Sequence, residues 1–197
     1  MTTGDLIFQG DDEDRMIVAQ VVSGQKDLFR LLVKRYEQAV YGMGISFFRN
    51  AEDASDFTQE VFLKTFRNLS RFEGRSRFST WLYKIAYNTA INSVTRKKDY
   101  YSLVEDEIVS DNDSPERKLL RGIARDAVFE AIRELPERFR VCVDLFFFYD
   151  RSYQEIETIT GYPVNTIKSH VFRAKKILRG KLAGFAGYAG LGRGGDE

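Results

Sequence analysis

Cysteine and histidine are nearly missing from this 197-residue chain, which has one of each, Cys142 and His170. A single cysteine excludes an internal disulfide and a cysteine-rich zinc site, and a single histidine excludes a multi-histidine metal centre. Cys142 lies in the apolar run VCVDLFFF, where a small buried hydrophobe is the ordinary reading. Only three prolines interrupt the chain. No apolar run approaches the ~20 residues that a membrane span requires. The first fifteen residues, MTTGDLIFQGDDEDR, are acidic rather than signal-like. A soluble, cytoplasmic protein without membrane insertion is expected.

What is present is a divided charge pattern. The formal net charge of +1 predicts no partner by itself. Residues 1–60 carry 11 acids and 6 bases, whereas 64–98 carry 1 acid and 9 bases. Residues 99–160 return to 15 acids and 8 bases, and 161–182 then hold 6 bases and no acid. Two basic islands therefore sit in an acidic chain.

Apolar residues recur at spacings of three and four, which predicts an all-α fold with helices near 12–23, 26–48, 52–70, 78–98, 116–134, 137–149, 152–160 and 163–182. Asp53, Ser79 and Ser152 stand near predicted starts, where a short oxygen-bearing side chain can cap free amides. The segment 99–115, DYYSLVEDEIVSDNDSP, is acidic and ends in proline, so it reads as a flexible linker between two small helical domains, 1–98 and 116–182. A glycine-rich tail, 183–197, is expected to be mobile.

The second basic island has the pattern of a helix-turn-helix, SYQEIETITGYPVNTIKSHVFRAKKIL. Ser152 and Glu155 have capping-box spacing, Gly161 permits a left-handed turn, and Pro163 opens a second helix. Val164, Ile167, Val171, Ala174 and Leu178 share one side of that helix. Thr166, Lys168, Ser169, Phe172, Arg173 and Lys176 project elsewhere, where cations meet phosphates and a hydroxyl or ring reads base edges. A solvated basic hairpin is the plainer alternative. His170 is expected to be exposed, close to a DNA backbone.

In DASDFTQEVFLKTFRNL, Phe57, Val61, Phe62, Phe66 and Leu69 define an apolar side. Asp53, Asp56, Gln59 and Glu60 share the opposite face, either as an acidic docking patch or as a solvated surface. The stretch RFEGRSRFSTWLYKIAYNTAINSVTRKK combines cations with rings. Trp81, Leu82, Ile85 and Ala86 are predicted to pack inward. Lys84, Asn88, Asn92 and Arg96 form a polar stripe able to face base edges and phosphates. The preceding loop contributes Arg71, Phe72, Arg75 and Arg77, and aromatics in a basic surface also suit stacking with unpaired bases.

These strings, with FRLLVKRYEQAVY near the start, resemble in order and spacing the extracytoplasmic-function class of bacterial sigma factors, over about three quarters of the chain. The resemblance implies a region 2 bundle and a region 4 helix-turn-helix. It implies that Asp53, Asp56, Gln59 and Glu60 dock on core RNA polymerase at the clamp of the β′ subunit. It implies that Arg71–Arg77 and the helix after it melt the −10 element and hold single-stranded DNA, with Asn88 and Asn92 facing that element. Lys168, Ser169, Phe172 and Arg173 would face duplex −35 DNA. The β flap and an anti-sigma factor are further implied partners, and the acidic linker would run toward the RNA exit path. No cofactor, metal or catalytic residue is implied.

Several positions depart from the family pattern. Asn165 stands where glycine is common, His170 where arginine is frequent, and Asp150-Arg151 where Gly-Leu is common. The triplet Phe146–Phe148 is unusually aromatic, as a modified core or a surface for polymerase or an inhibitor. Two other functions compete with this reading. An autonomous helix-turn-helix regulator would leave 71–98 unused. A DNA-processing enzyme would need a metal cluster or nucleophile–base pair that these residues do not supply.

Overall fold

The computed structural model describes the backbone of residues 3–100 and 127–186 and the side chains of 10–94 and 127–183. The regular elements among the described residues are all helical, and the chain divides into two compact units. The predicted linker lies outside them apart from its first two residues, as do 116–126 of the fifth predicted helix and the tail from 187.

The N-terminal unit is built on α1 (Thr3–Val22), α2 (Phe29–Phe48), α3 (Ala51–Arg67) and α4 (Phe78–Tyr100). Short 3-10 turns precede α2 (Lys26–Leu28) and follow α3 (Leu69–Arg71). The first helix begins nine residues before the predicted start. Ile17, Val18 and Val21 of α1 join a core with Leu32, Val40, Phe57, Val61 and Leu82. Asp14 is fully buried, and it accepts hydrogen bonds from Arg35 and the Tyr36 hydroxyl, while Glu13 pairs with Arg35 at 2.6 Å. Burial raises the Asp14 pKa, with Tyr36 and Arg35 pulling the other way.

Helices α2 and α3 approach closely at Gly44 of α2. A Cβ there would lie 2.9 Å from Phe57 Cδ1 and 3.0 Å from the Ala54 backbone. Asn50, not Asp53, caps α3: its Oδ1 accepts from the amides of Glu52 (2.8 Å) and Asp53 (3.2 Å). Asp53 instead sits in the first turn with Glu52, where negative charge suits the helix dipole. Ser79 is likewise no cap. It is buried inside the first turn of α4, and the Arg77 carbonyl starts that helix by accepting from Trp81 at 3.1 Å.

The C-terminal unit contains the helical residues 127–133 (α5), α6 (Glu137–Val143), a π turn (Asp144–Phe148), α7 (Tyr153–Thr160) and α8 (Val164–Ala186). Leu135, Phe139 and Val143 pack on Ala174, Ile177 and Leu178 of α8. The predicted single helix over 137–149 therefore ends in a wider turn, closed by Tyr149 N donating to Asp144 O at 3.1 Å. Asp150 follows at φ 51°, a left-handed conformation that explains why glycine would serve there. Arg151 steadies the turn through its Nε, which donates to Tyr149 O at 2.6 Å.

Candidate nucleic-acid and partner interfaces

The α8 surface is assembled by local signals. Ser152 and Glu155 form a complete capping box at the start of α7. Gly161 ends α7 at φ 77°, donating to Glu157 O at 2.8 Å. The Glu157 carboxylate then accepts from Val164 N at 3.2 Å, which holds the first turn of α8. Ile167, Val171 and Ala174 are buried, while Val164 and Leu178 are half-buried. Lys168, Ser169, Arg173 and Lys176 are exposed, Thr166 is half-buried, and Phe172 is 70% exposed. An apolar ring held in solvent between cations is costly to hydration and useful for contact.

His170 is not on that face, contrary to the expectation. It is buried, with Nδ1 3.7 Å from Cys142 Sγ and its ring 5.1 Å from Phe139 and 5.5 Å from Tyr162. It lies three residues after Ile167 and four before Ala174, so helical spacing turns it inward. Burial, then the charges of Arg138 and Arg173, lowers its pKa, keeping it neutral. Burial also pushes the Cys142 thiol up to about 12, so it stays protonated.

On α4, Lys84, Asn88 and Asn92 are exposed along one stripe. The Arg96 side chain lies outside the described residues. Behind the stripe, Phe78, Leu82, Tyr83, Ala86, Tyr87 and Ala90 are buried, so the helix divides into a ring-rich core side and a polar outer side. Trp81 and Ile85, expected to pack inward, are half-buried. Phe72 wedges against Phe78 and Trp81 at 5.7 and 5.4 Å. Arg71 is exposed, Arg75 pairs with Glu73 at 2.7 Å, and Arg77 pairs with Asp11 at 2.9 Å.

On α3, Asp56 and Gln59 are exposed, whereas Asp53 and Glu60 are half-buried. Glu60 pairs with Lys64 at 2.6 Å, and Lys64 also donates to Thr89 Oγ1 at 3.3 Å. Beside this face runs an apolar groove of about 1420 Å³ between α2 and α3, floored by Phe29, Phe62, Leu63 and Phe66. Phe66, expected on the buried side, opens to solvent, and across the groove the Phe29 ring meets it edge-to-face at 5.0 Å. Leu63, 56% exposed, was missed altogether. Its sequence signal was a leucine lying off the apolar stripe of α3.

The aromatic triplet divides: Phe146 is half-buried and stacks on Tyr153 at 4.9 Å, while the other two rings form a surface. Phe147 and Phe148 are about half exposed; Lys175 sits 5.0 Å over the Phe147 ring, and Phe148 stacks on the exposed Phe129 at 5.8 Å. Among the described residues no cluster of three His, Cys, Asp or Glu could hold a metal ion. Nor is any described helix long and apolar enough to cross a membrane.

A four-helix unit with a basic polar stripe, followed by a helix-turn-helix unit, defines the two-part architecture of a promoter-recognition factor. Residues 32–100 match Sigma-70 region 2, and residues 125–178 match Sigma-70 region 4. The RNA polymerase sigma-H factor of Pseudomonas aeruginosa is 35% identical over 178 residues, covering 85% of this chain and 92% of that protein. The ECF RNA polymerase sigma-E factor of Escherichia coli is 36% identical over 180 residues, covering 86% and 94%. The chain belongs to the extracytoplasmic-function class of the sigma-70 family. The fold is also that of CnrH, solved in complex with the cytosolic domain of CnrY, with a TM-score of 0.64 at 23% identity over 87% of this chain and 97% of that one. The Bartonella quintana sigma factor RpoE, solved with the anti-sigma factor NepR, gives a TM-score of 0.64 at 23% identity over 79% and 96%.

Proposed function

We propose that this chain acts in the cytoplasm as a promoter-recognition subunit of RNA polymerase, working by binding rather than by chemistry of its own. Residues 1–98 dock on the core enzyme and open −10 DNA, and 116–182 read the −35 element. The observation that carries the reading is the division of α4 into a buried ring face and an exposed Lys84–Asn88–Asn92 stripe, beside the exposed cations Arg71 and Arg75. Arg96 belongs to the same stripe by spacing. Bases leaving the duplex gain amide partners there, and the cations hold the backbone.

Asp56 and Gln59 make the polar part of the docking face toward the clamp of core polymerase, with Asp53 and Glu60 at its margin. The groove with Leu63 and Phe66 supplies its apolar part. Thr166, Lys168, Ser169, Phe172, Arg173 and Lys176 face the duplex −35 element. The exposed Phe129, Phe147 and Phe148 offer an apolar face to the flap of the polymerase or to an anti-sigma factor, the kind of partner with which the related RpoE was solved. An autonomous duplex-binding regulator would leave the α4 stripe and the α3 groove without a role.

Run-off transcription with purified core polymerase over a promoter library tests this. Asn88→Ala should lower discrimination at the −10 element by about tenfold, the weight of one lost base contact of ~1–3 kcal/mol, with core binding intact. Asp56→Lys should instead reduce co-elution with core polymerase. Unchanged −10 selectivity in Asn88→Ala would remove the α4 assignment, and tight promoter binding by the chain alone would favour the autonomous regulator.

A further inference from the structure

We propose that α1 sets the conformation, and thereby the base preference, of the 71–77 loop, with Asp11 and Arg15 as its positioning residues. This rests on the reading of that loop as part of the −10 interface. The loop joins the 3-10 turn after α3 to the start of α4. Its apex, Gly74, has φ 70° and is half-buried, and a Cβ placed there would meet nothing within 4 Å, so the side on which a side chain would project is open. The Arg75–Glu73 pair is 85% and 61% exposed at its side chains, and an ion pair that open to water does little to fix a loop.

Two contacts from α1 reach the loop instead. Arg15 Nη2 donates to Gly74 O at 3.0 Å, and Asp11 Oδ2 accepts from Arg77 Nε at 2.9 Å. Asp11 and Arg15 are four residues apart, so one face of α1 reaches both the apex and the far end of the loop. The helix can act as a brace because it is itself anchored. Ile17, Val18 and Val21 are buried, and Glu13 and Asp14 hold Arg35 and Tyr36 of α2. The acidic run Asp11–Asp14 thus divides its work, with Glu13 and Asp14 anchoring α1 and Asp11 bracing the loop.

The brace also bears on α4. The Arg77 carbonyl accepts the bond from Trp81 N that begins the helix, so a tether on Arg77 positions the first turn and the stripe that follows. Near the other end of the loop, Phe72 is wedged on Phe78 and Trp81. The segment is held at the wedge, at the apex and at the helix start, with Arg71 and Arg75 projecting as the outward cations. Arg77 is spent on the tether, so its role is to place the loop rather than to meet phosphate.

The test uses Asp11→Asn/Arg15→Gln in the full chain, with Arg15→Lys as a conservative variant that keeps a cationic donor. Hydrogen exchange of loop amides reads the brace without polymerase, and run-off transcription over single-base −10 variants reads the preference. The expected result is faster exchange across 72–77 with unchanged protection in the interior of α4. Discrimination between the best and worst −10 bases should fall about fivefold, the scale of ~1 kcal/mol, with core binding and −35 preference retained. Arg15→Lys should recover part of the loss.

Unchanged exchange at 72–77 would overturn the brace. Faster exchange with unchanged base preference would overturn its role in specificity. Loss of core binding and of α4 protection together would overturn it in favour of a purely structural helix. A wild-type chain showing no −10 discrimination would instead defeat the underlying reading of the loop, leaving the exchange result to stand alone.

Discussion

Replacing Gly44 by alanine tests the packing on which the docking face depends. The added methyl would sit 2.9 Å from Phe57 Cδ1, 3.0 Å from Ala54 Cα and 3.1 Å from Ala54 Cβ. Carbon atoms prefer separations of about 3.5–4.0 Å, so α2 and α3 must part by roughly half an ångström or Phe57 must leave its place. Phe57 is buried and lies 5.4 Å from the Phe48 ring, so it has little room to turn, and Ala54 Cα cannot rotate away at all. Overpacking of this kind costs about 1–3 kcal/mol. Exchanging glycine for alanine inside a helix returns about 1 kcal/mol. The expected net effect is a destabilisation of about 1 kcal/mol, on balance of these two magnitudes.

Urea unfolding followed through Trp81, the chain's one tryptophan, reports on the N-terminal unit that contains Gly44. Gly10→Ala is the matched control. It lies in α1, where a Cβ would meet nothing within 4 Å, so only the helix-propensity gain remains and the variant should be more stable by about 0.5–1 kcal/mol. Gly44→Ala as stable as the parent, or more so, would refute the claim that α2 and α3 meet at this glycine.

Two further outcomes concern the C-terminal unit. Ser152→Ala removes half of the capping box on α7, a helix of only eight residues, and should cost about 1 kcal/mol in thermal unfolding followed by circular dichroism; an unchanged transition would mean the cap adds nothing. His170 has a folded-state pKa below its ordinary value near 6.5, so the folded chain binds that proton less well than the unfolded one. Its contribution to stability is full above pH 6.5 and is lost as pH falls from there through the lowered folded value. The single imidazole resonance should titrate below 6.5, and His170→Gln should flatten stability across that window. A midpoint at or above 6.5 would contradict the buried, neutral ring.

The helices and most of their faces are legible in the amino-acid order, because those signals are local. Ser-x-x-Glu, Gly161 and Pro163 mark the turn of the C-terminal motif without reference to any other part of the chain. Helical spacing also placed Lys84, Asn88 and Asn92 on one stripe and Lys168, Ser169, Phe172 and Arg173 on another. Spacing says which residues share a face, but not how far a neighbouring helix covers it. Phe66 shares the apolar side of α3 yet opens to solvent, although Phe29 lies 5.0 Å from its ring. His170 stands among Lys168, Ser169 and Arg173 and is expected on their surface, yet it shares helical spacing with Ile167 and Ala174, and Phe139, Cys142 and Tyr162 enclose it.

Charge behaved in the same way. The acids at 11–14 and the arginines at 35 and 77 were visible as opposite charges, but nothing local links residues so far apart. Packing of the helices buries Asp14 against Arg35 and Tyr36 and brings Asp11 to Arg77 rather than to water. Local sequence sets torsions and faces through interactions within a turn or two of helix. Coverage, burial and long-range ion pairing depend on which faces the chain brings together, and that is a property of the packed helices as a set.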